Sequence, residues 1–160
     1  MKIKLLAVNA TVAALYVALA FAVKPIAFGE LQFRIPEIFN HLIAFNPLFM
    51  PGVVLGVFIS NINSELGPID LVFGVGHSVI TLGLAIFIFK FVSNIKVRLA
   101  IMTVLFTLTM FIIAFELTLV LKLPFFWTWL FVAGGEFVVL AIGAPIMYTL
   151  NKRLDFKNML

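Results

Sequence analysis

The sequence predicts an all-α integral membrane bundle of six transmembrane helices, and three observations carry that expectation. The chain is 64% hydrophobic over 160 residues, with a mean hydropathy of +1.22. A soluble domain of this size could not hide so much apolar surface, so lipid is expected to be its solvent. Long apolar runs are separated by short segments that hold most of the 11 Lys and Arg residues. Finally, Ala10, Ala14, Ala18 and Ala22 recur every fourth residue along the first apolar run. On a helix they form one smooth strip where another backbone can approach closely, the usual route to helix association in lipid.

The first span is expected at about 5–23, and its lack of a small-residue cleavage site reads as a retained helix and not as a signal peptide. A second apolar stretch covers 35–62 and is interrupted by Asn46-Pro47 and Met50-Pro51-Gly52. As one helix it would be roughly 42 Å long, so the prolines are expected to split it into two short helices. Further spans are expected at about 69–92, 97–121 and 125–150, each long enough for a hydrocarbon core of roughly 30 Å.

Six helices place Lys2, Lys4, Lys90, Lys96, Arg98, Lys152, Arg153 and Lys157 on the cytoplasmic side, with both termini. Lys24, Arg34 and Lys122 fall outside. Five helices with the N-terminus outside divide the charges equally well, and the proline argument favours six. The whole chain, 1–160, reads as a single membrane-embedded domain in the cell membrane.

Composition also excludes functions. Cysteine is absent, which removes disulfides, thiolate metal sites and thiol nucleophiles. There is no Gly-x-x-x-x-Gly-Lys phosphate loop, so the chain is not expected to hydrolyse a nucleotide. Ser78 adjoins His77 and points elsewhere on a helix, which weakens a serine-hydrolase reading. His41 and His77 fall on different helices, so neither a metal nor a cofactor is expected. The basic residues are explained by topology and lipid headgroups, not by nucleic acid.

The remaining polar residues gather on the outer side: Gln32, Arg34 and Glu37 at the start of helix 2; Asn61, Asn63, Glu65 and Asp70 near the 3–4 connection; then His77, Glu116 and Glu136 within spans. Ionisable groups inside a membrane are expensive and normally face a cavity or one another. Glu116 and Glu136 are the leading candidates for a binding site, the alternative being salt bridges to Arg34 or Lys122. Asp70 can equally cap helix 4. Arg34 and Glu37 can pair one turn apart. Trp127 and Trp129 suit the interfacial belt, although Trp127 can also stack on a ligand.

These residues resemble a family, the substrate-binding S components of energy-coupling factor (ECF) transporters, and within it the queuosine-precursor transporter (QueT) family. Ala10, Ala14 and Ala18 match the docking strip of helix 1. The closer pattern comprises Ala14-Leu15-Tyr16-Val17-Ala18-Leu19, Pro25, Phe28-Gly29, Gln32-Phe33-Arg34 and Glu37. It continues through Pro51-Gly52, Leu55-Gly56, Asn61, Ser64, Gly67, Asp70, Phe73-Gly74, Gly135-Glu136 and Gly143-Ala144-Pro145. Pro36 and Val75-Gly76-His77 depart from it.

The resemblance implies a non-catalytic subunit that binds a 7-deazaguanine, most simply 7-aminomethyl-7-deazaguanine. A transmembrane coupling subunit and two cytoplasmic ATPases would be its partners. A guanine-like edge offers adjacent N–H donors to one carboxylate, and an aminomethyl cation would suit another. Glu136 and Glu116 are expected in those roles, with Asn61 and Asp70 next. Arg34, Gln32 or His77 would donate to the carbonyl, Glu37 would assist, and Phe28, Phe33, Phe73 and Trp127 would sandwich the ring. An S component for another vitamin or nucleobase, or an intramembrane enzyme, remains the competing expectation.

Overall fold

The computed structural model describes residues 2–160 except 28–33, 63 and 65, and except the side chains of 24–27. Gln32, Phe28, Phe33, Lys24, Asn63 and Glu65 therefore lie outside the described residues. Among those described, every regular element is helical: α1 (Lys2–Ala27), α2 (Leu42–Phe45), α3 (Met50–Ile62), α4 (Pro68–Phe89), α5 (Ile95–Thr109), α6 (Phe111–Leu121) and α7 (Phe125–Leu154). Two 3-10 segments, Ile35–His41 and Pro47–Phe49, precede α2 and α3. Lys2–Val23, Pro68–Phe89, Ile95–Leu121 and Phe125–Leu154 are long and apolar enough to cross a membrane, and Pro47–Ile62 is a shorter apolar helix.

The interruption of the middle stretch falls at Asn46, whose backbone is extended at φ −151° and ψ 117°. Its side chain accepts from the Leu48 amide at 3.0 Å and donates to the Lys157 carbonyl at 3.2 Å. Pro51 breaks nothing. It lies in the first turn of α3, where its missing N–H would have no intrahelical partner anyway. The half before Asn46 is mainly 3-10 and not α, with Pro36 near its start.

The span expected at 97–121 is interrupted at Met110, between α5 and α6. Just before the break, the Thr109 hydroxyl bonds back to the Leu105 carbonyl at 2.9 Å, an interaction that bends helices. Gly67 precedes α4 at φ +70°, and no side chain caps that helix. Asp70 occupies its first turn, so the cap expected of it is not made.

Helices α1 and α3 run side by side in the same direction. A Cβ on Gly52 would lie 2.6 Å from the Asn9 carbonyl oxygen, and one on Gly56 would lie 2.6 Å from the Tyr16 Cβ. Glycine spaced by four thus lets the two backbones meet. Asn9 locks the contact: its Oδ1 accepts from the Gly52 amide at 2.7 Å, and its Nδ2 donates to the Leu5 and Leu48 carbonyls at 3.0 Å. The Gly52 amide sits in the first turn of α3 and has no carbonyl of its own helix to bond, so Asn9 does the work of a cap from another helix.

This packing buries the α1 face carrying Asn9, Val12, Ala13 and Tyr16. Ala10, Ala14, Ala18 and Ala22 are exposed on the other face.

At the same end, Arg98 gathers carbonyls from three segments. It donates to Val92 at 2.6 Å, Phe89 at 2.8 Å and Ala44 at 3.3 Å. The C-terminal Phe156 packs on Phe45 and Phe49 at centroid distances of 5.6 and 6.0 Å. Asn9 and Phe156 thereby meet the same Phe45–Phe49 turn from opposite ends of the chain.

The apolar core is in two pieces. The larger joins α1, α2, α3, α4, α5 and α7 around Phe49, Leu82, Met102, Phe106 and Leu140. The smaller joins Met110, Ile113, Ala114, Leu117 and Val132. Polar residues occupy the boundary between them: Glu136 lies between Val132 and Leu140 on α7, and Thr109 between Phe106 and Met110.

Replacing Asn9 with Ala should destabilise the fold by about 1–3 kcal/mol, because it leaves the buried Gly52 amide and Leu48 carbonyl unpaired. A thermal melt in detergent, followed by circular dichroism, checks this. An unchanged midpoint would remove Asn9 as the joint between α1 and α3.

Candidate functional site

The site is built around the 3-10 segment Ile35–His41, which packs between α1 and α7. Pro36 lacks an N–H, and the three-residue turn that follows stacks residues three apart directly above one another. Glu37 and Asn40 are therefore eclipsed, and Asn40 Nδ2 donates to Glu37 Oε2. His41, one position on, turns toward α7, where its Nε2 donates to the Leu140 carbonyl at 2.9 Å. A carbonyl only accepts, so Nε2 must carry the hydrogen. The α7 backbone can come this close because Gly143 has no Cβ; one would lie 2.8 Å from Ile38 Cγ2.

Arg34 enters from just before the segment. Its Nη1 is 3.5 Å from Glu37 Oε1, an ion pair too long and misaligned to be a hydrogen bond. The pairing of Arg34 with Glu37 expected from their spacing is therefore present. Burial works against the guanidinium charge, but Glu37, Asp70 and Glu136 hold it, and its pKa lies above the ordinary arginine value.

Arg34 also approaches Gly74 on α4, where an added Cβ would sit 3.5 Å from Nη2. The same Cβ would collide with the Asn61 amide. Asn61 Nδ2 donates across to the Asp70 carbonyl at 3.3 Å, tying the end of α3 to the start of α4.

Further along α4, His77 is fully buried. Its ring meets Phe106 edge-on at 5.3 Å, and its Nε2 is 3.0 Å from the Thr109 hydroxyl. That hydroxyl also bonds Thr81 at 2.9 Å and the Leu105 carbonyl at 2.9 Å. Its single proton goes to the carbonyl, which leaves its lone pairs to accept from Thr81 and from His77.

Glu37, Glu116 and Glu136 are each 0% exposed. Both oxygens of Glu116 and both of Glu136 lack a hydrogen-bond partner among the described residues. So do Glu37 Oε1, Asn40 Oδ1, His41 Nδ1, His77 Nδ1 and Arg34 Nη1. The salt bridges weighed for Glu116 and Glu136 are not made among those residues, and Lys122 is exposed, in a left-handed turn at φ 58°.

Unpaired polar atoms inside a protein are costly. Here they are mostly acceptors on separate elements, with one guanidinium among them. Such a set is suited to a guest rich in N–H donors that also carries an acceptor.

Phe73 is half-buried and packs on Phe115 at 6.2 Å. Trp127 is 64% exposed at the start of α7, outside the buried set. Trp129 turns inward instead, against Phe111 and Phe125, with a buried Nε1 that has no partner among the described residues. Sequence reasoning missed Asn40 and His41 as members of this buried set. For Asn40 the signal was its spacing of three from Glu37, which a 3-10 turn brings onto one face, whereas His41 lies off that face, toward α7.

Among the described residues, no group of three or more His, Asp and Glu side chains is placed to hold a metal ion.

An apolar helical bundle that buries two histidines, and carboxylates without partners among the described residues, is an integral membrane protein with a polar interior. A family model described as "QueT transporter" matches residues 6–152. A protein of Lactococcus lactis subsp. cremoris (strain MG1363), named "Queuosine precursor transporter QueT", is 35% identical over 158 residues, covering 93% of this chain and 93% of that protein. No solved structure gives a significant match. The chain belongs to the QueT transporter family.

Substituting Gly74 with Ala should push the Asn61 amide away from Arg34 and weaken ligand binding roughly tenfold, with helix content retained. Isothermal titration of the purified variant measures it, and wild-type affinity would show that the Asn61–Arg34 arrangement is incidental.

Proposed function

We propose that this chain is the substrate-binding S component of an ECF-type importer and takes up a queuosine precursor, 7-aminomethyl-7-deazaguanine or a close relative. The observation that carries the reading is the set of carboxylate oxygens on Glu116 and Glu136 that find no partner among the described residues inside an apolar bundle. A deazaguanine edge carries adjacent N–H donors that one carboxylate accepts in bidentate fashion. The aminomethyl cation is stabilised by a second carboxylate in the same low-dielectric space. Arg34 donates to the ring carbonyl, and Glu37, Asn61, Asp70 and His77 complete the polar wall. Phe73 contributes a ring face, with Trp129 better placed than Trp127 to do so. Gln32, Phe28 and Phe33 belong to the same proposed site. The name of the Lactococcus relative agrees with this ligand class.

Transport would proceed from outside to inside by reorientation against a coupling subunit driven by two cytoplasmic ATPases, with no chemistry on this chain. The exposure of Ala10, Ala14, Ala18 and Ala22 supports their role as the docking strip, since α1 packs on α3 through its opposite face. Six traverses of the cell membrane with cytoplasmic termini, formed by one domain over 1–160, agree with the parallel course of α1 and α3. They agree also with the cationic end that gathers Lys90, Lys96, Arg98, Lys152 and Arg153.

Glu136→Gln should weaken binding of 7-aminomethyl-7-deazaguanine by about 2–5 kcal/mol, because it removes the charge that a buried donor pair or cation requires. An unchanged dissociation constant for the purified protein would take Glu136 out of the site. Binding of an unrelated vitamin in its place would favour an S component of other specificity.

Ala14→Trp should abolish uptake by whole cells and leave binding to the isolated chain intact. Loss of both together would count against a docking role for the strip.

A further inference from the structure

Outside the polar compartment, α5 and α7 leave a groove of about 450 Å³ on the bundle surface, lined by Ala100, Thr103, Val104, Phe137, Ala141 and Ala144 among others. Small side chains on both helices keep it open. Thr103 Oγ1 is already engaged, donating to the Leu99 carbonyl at 3.1 Å, so the wall short of Tyr148 is apolar.

One end of the groove is different. It finishes on Lys96 and Tyr148, and the ammonium groups of Lys96 and Lys152 lie 5.7 and 5.2 Å from the centroid of the Tyr148 ring. The ring attracts both cations and keeps both at this end of the groove. The first amides of α5 take no part, because the Asn94 side chain already accepts from Lys96 and Val97.

Length identifies the occupant. From Lys96 to Val104 α5 rises roughly 12 Å, and from Phe137 to Tyr148 α7 rises roughly 16 Å. A single leaflet contributes about 15 Å of hydrocarbon, half of a core about 30 Å thick. The apolar part therefore spans one acyl layer, and the paired lysines fall at the depth of that leaflet's phosphates.

We propose that the α5–α7 groove is a binding site for one anionic phospholipid, with an acyl chain against Ala100, Ala141 and Ala144 and the phosphate held between Lys96 and Lys152. Any hydrocarbon can fill the apolar part. The lysine pair adds selectivity for negative charge, and a zwitterionic lipid gains little from it.

Native mass spectrometry of the full chain in mixed micelles tests the site, with phosphatidylglycerol and phosphatidylcholine as the probes. One phosphatidylglycerol should be retained in preference to phosphatidylcholine. The double variant K96Q/K152Q should lose that preference, by roughly fivefold for each lysine, and K96R/K152R should keep it. Ala141→Phe should expel both lipids by filling the groove. Should it fail to fold, the exposed lysine pair still decides the matter. Equal retention of the two lipids, a preference that survives K96Q/K152Q, or a second copy of this chain in place of lipid would each overturn the proposal.

Discussion

A 3-10 turn makes poorer backbone hydrogen bonds than an α-helix, and such irregular backbone is tolerated at membrane depth where protein covers it. The segment Ile35–His41 is such backbone, and the bundle is arranged to bury it. Helix α1 lies against one side and α7 against the other. Gly143 lets the α7 backbone close over Ile38 and His41, and the Leu140 carbonyl takes the His41 hydrogen. In return the three-residue turn delivers Glu37 and Asn40 in register to the interior, where a regular α-helix would have fanned them apart. The polar compartment depends on this wedge being enclosed.

Enclosure also explains the two faces of α1. The face with Asn9, Ala13 and Tyr16 is spent on α3, through glycines that admit a neighbouring backbone and an asparagine that pairs the amide there. The strip of Ala10, Ala14, Ala18 and Ala22 is consequently left free. Small residues thus appear twice with separate purposes, once at Gly52 and Gly56 within the chain and once on the outer surface. In lipid both contacts rest on close van der Waals approach, since apolar burial gains nothing there.

Much of the architecture was legible in the chain. The helical class, the long spans and the break near Asn46-Pro47 follow from apolar run lengths and from the chemistry of proline. The membership of Glu37, Glu116, Glu136 and His77 in a buried set follows from how costly such groups are in a membrane. Other features depended on neighbours far away in sequence. Pro51 looked like a breaker and is a helix-starting residue. Asp70 could equally have been a cap or a site residue, and it is not a cap. Trp127 and Trp129 are indistinguishable in composition, yet only the second turns inward, because Phe111 and Phe125 provide its wall.

The chain alone, then, determined that this protein lives in a bilayer, where its long apolar helices lie and which acids would need explaining, since hydropathy and desolvation act residue by residue. Only the tertiary structure decided which acceptors stay unpaired. Whether His41 finds the Leu140 carbonyl and Glu116 finds nothing among the described residues is a matter of distances between separate helices. Those distances are set by where glycine allows two backbones to touch, and no local pattern in the sequence records them.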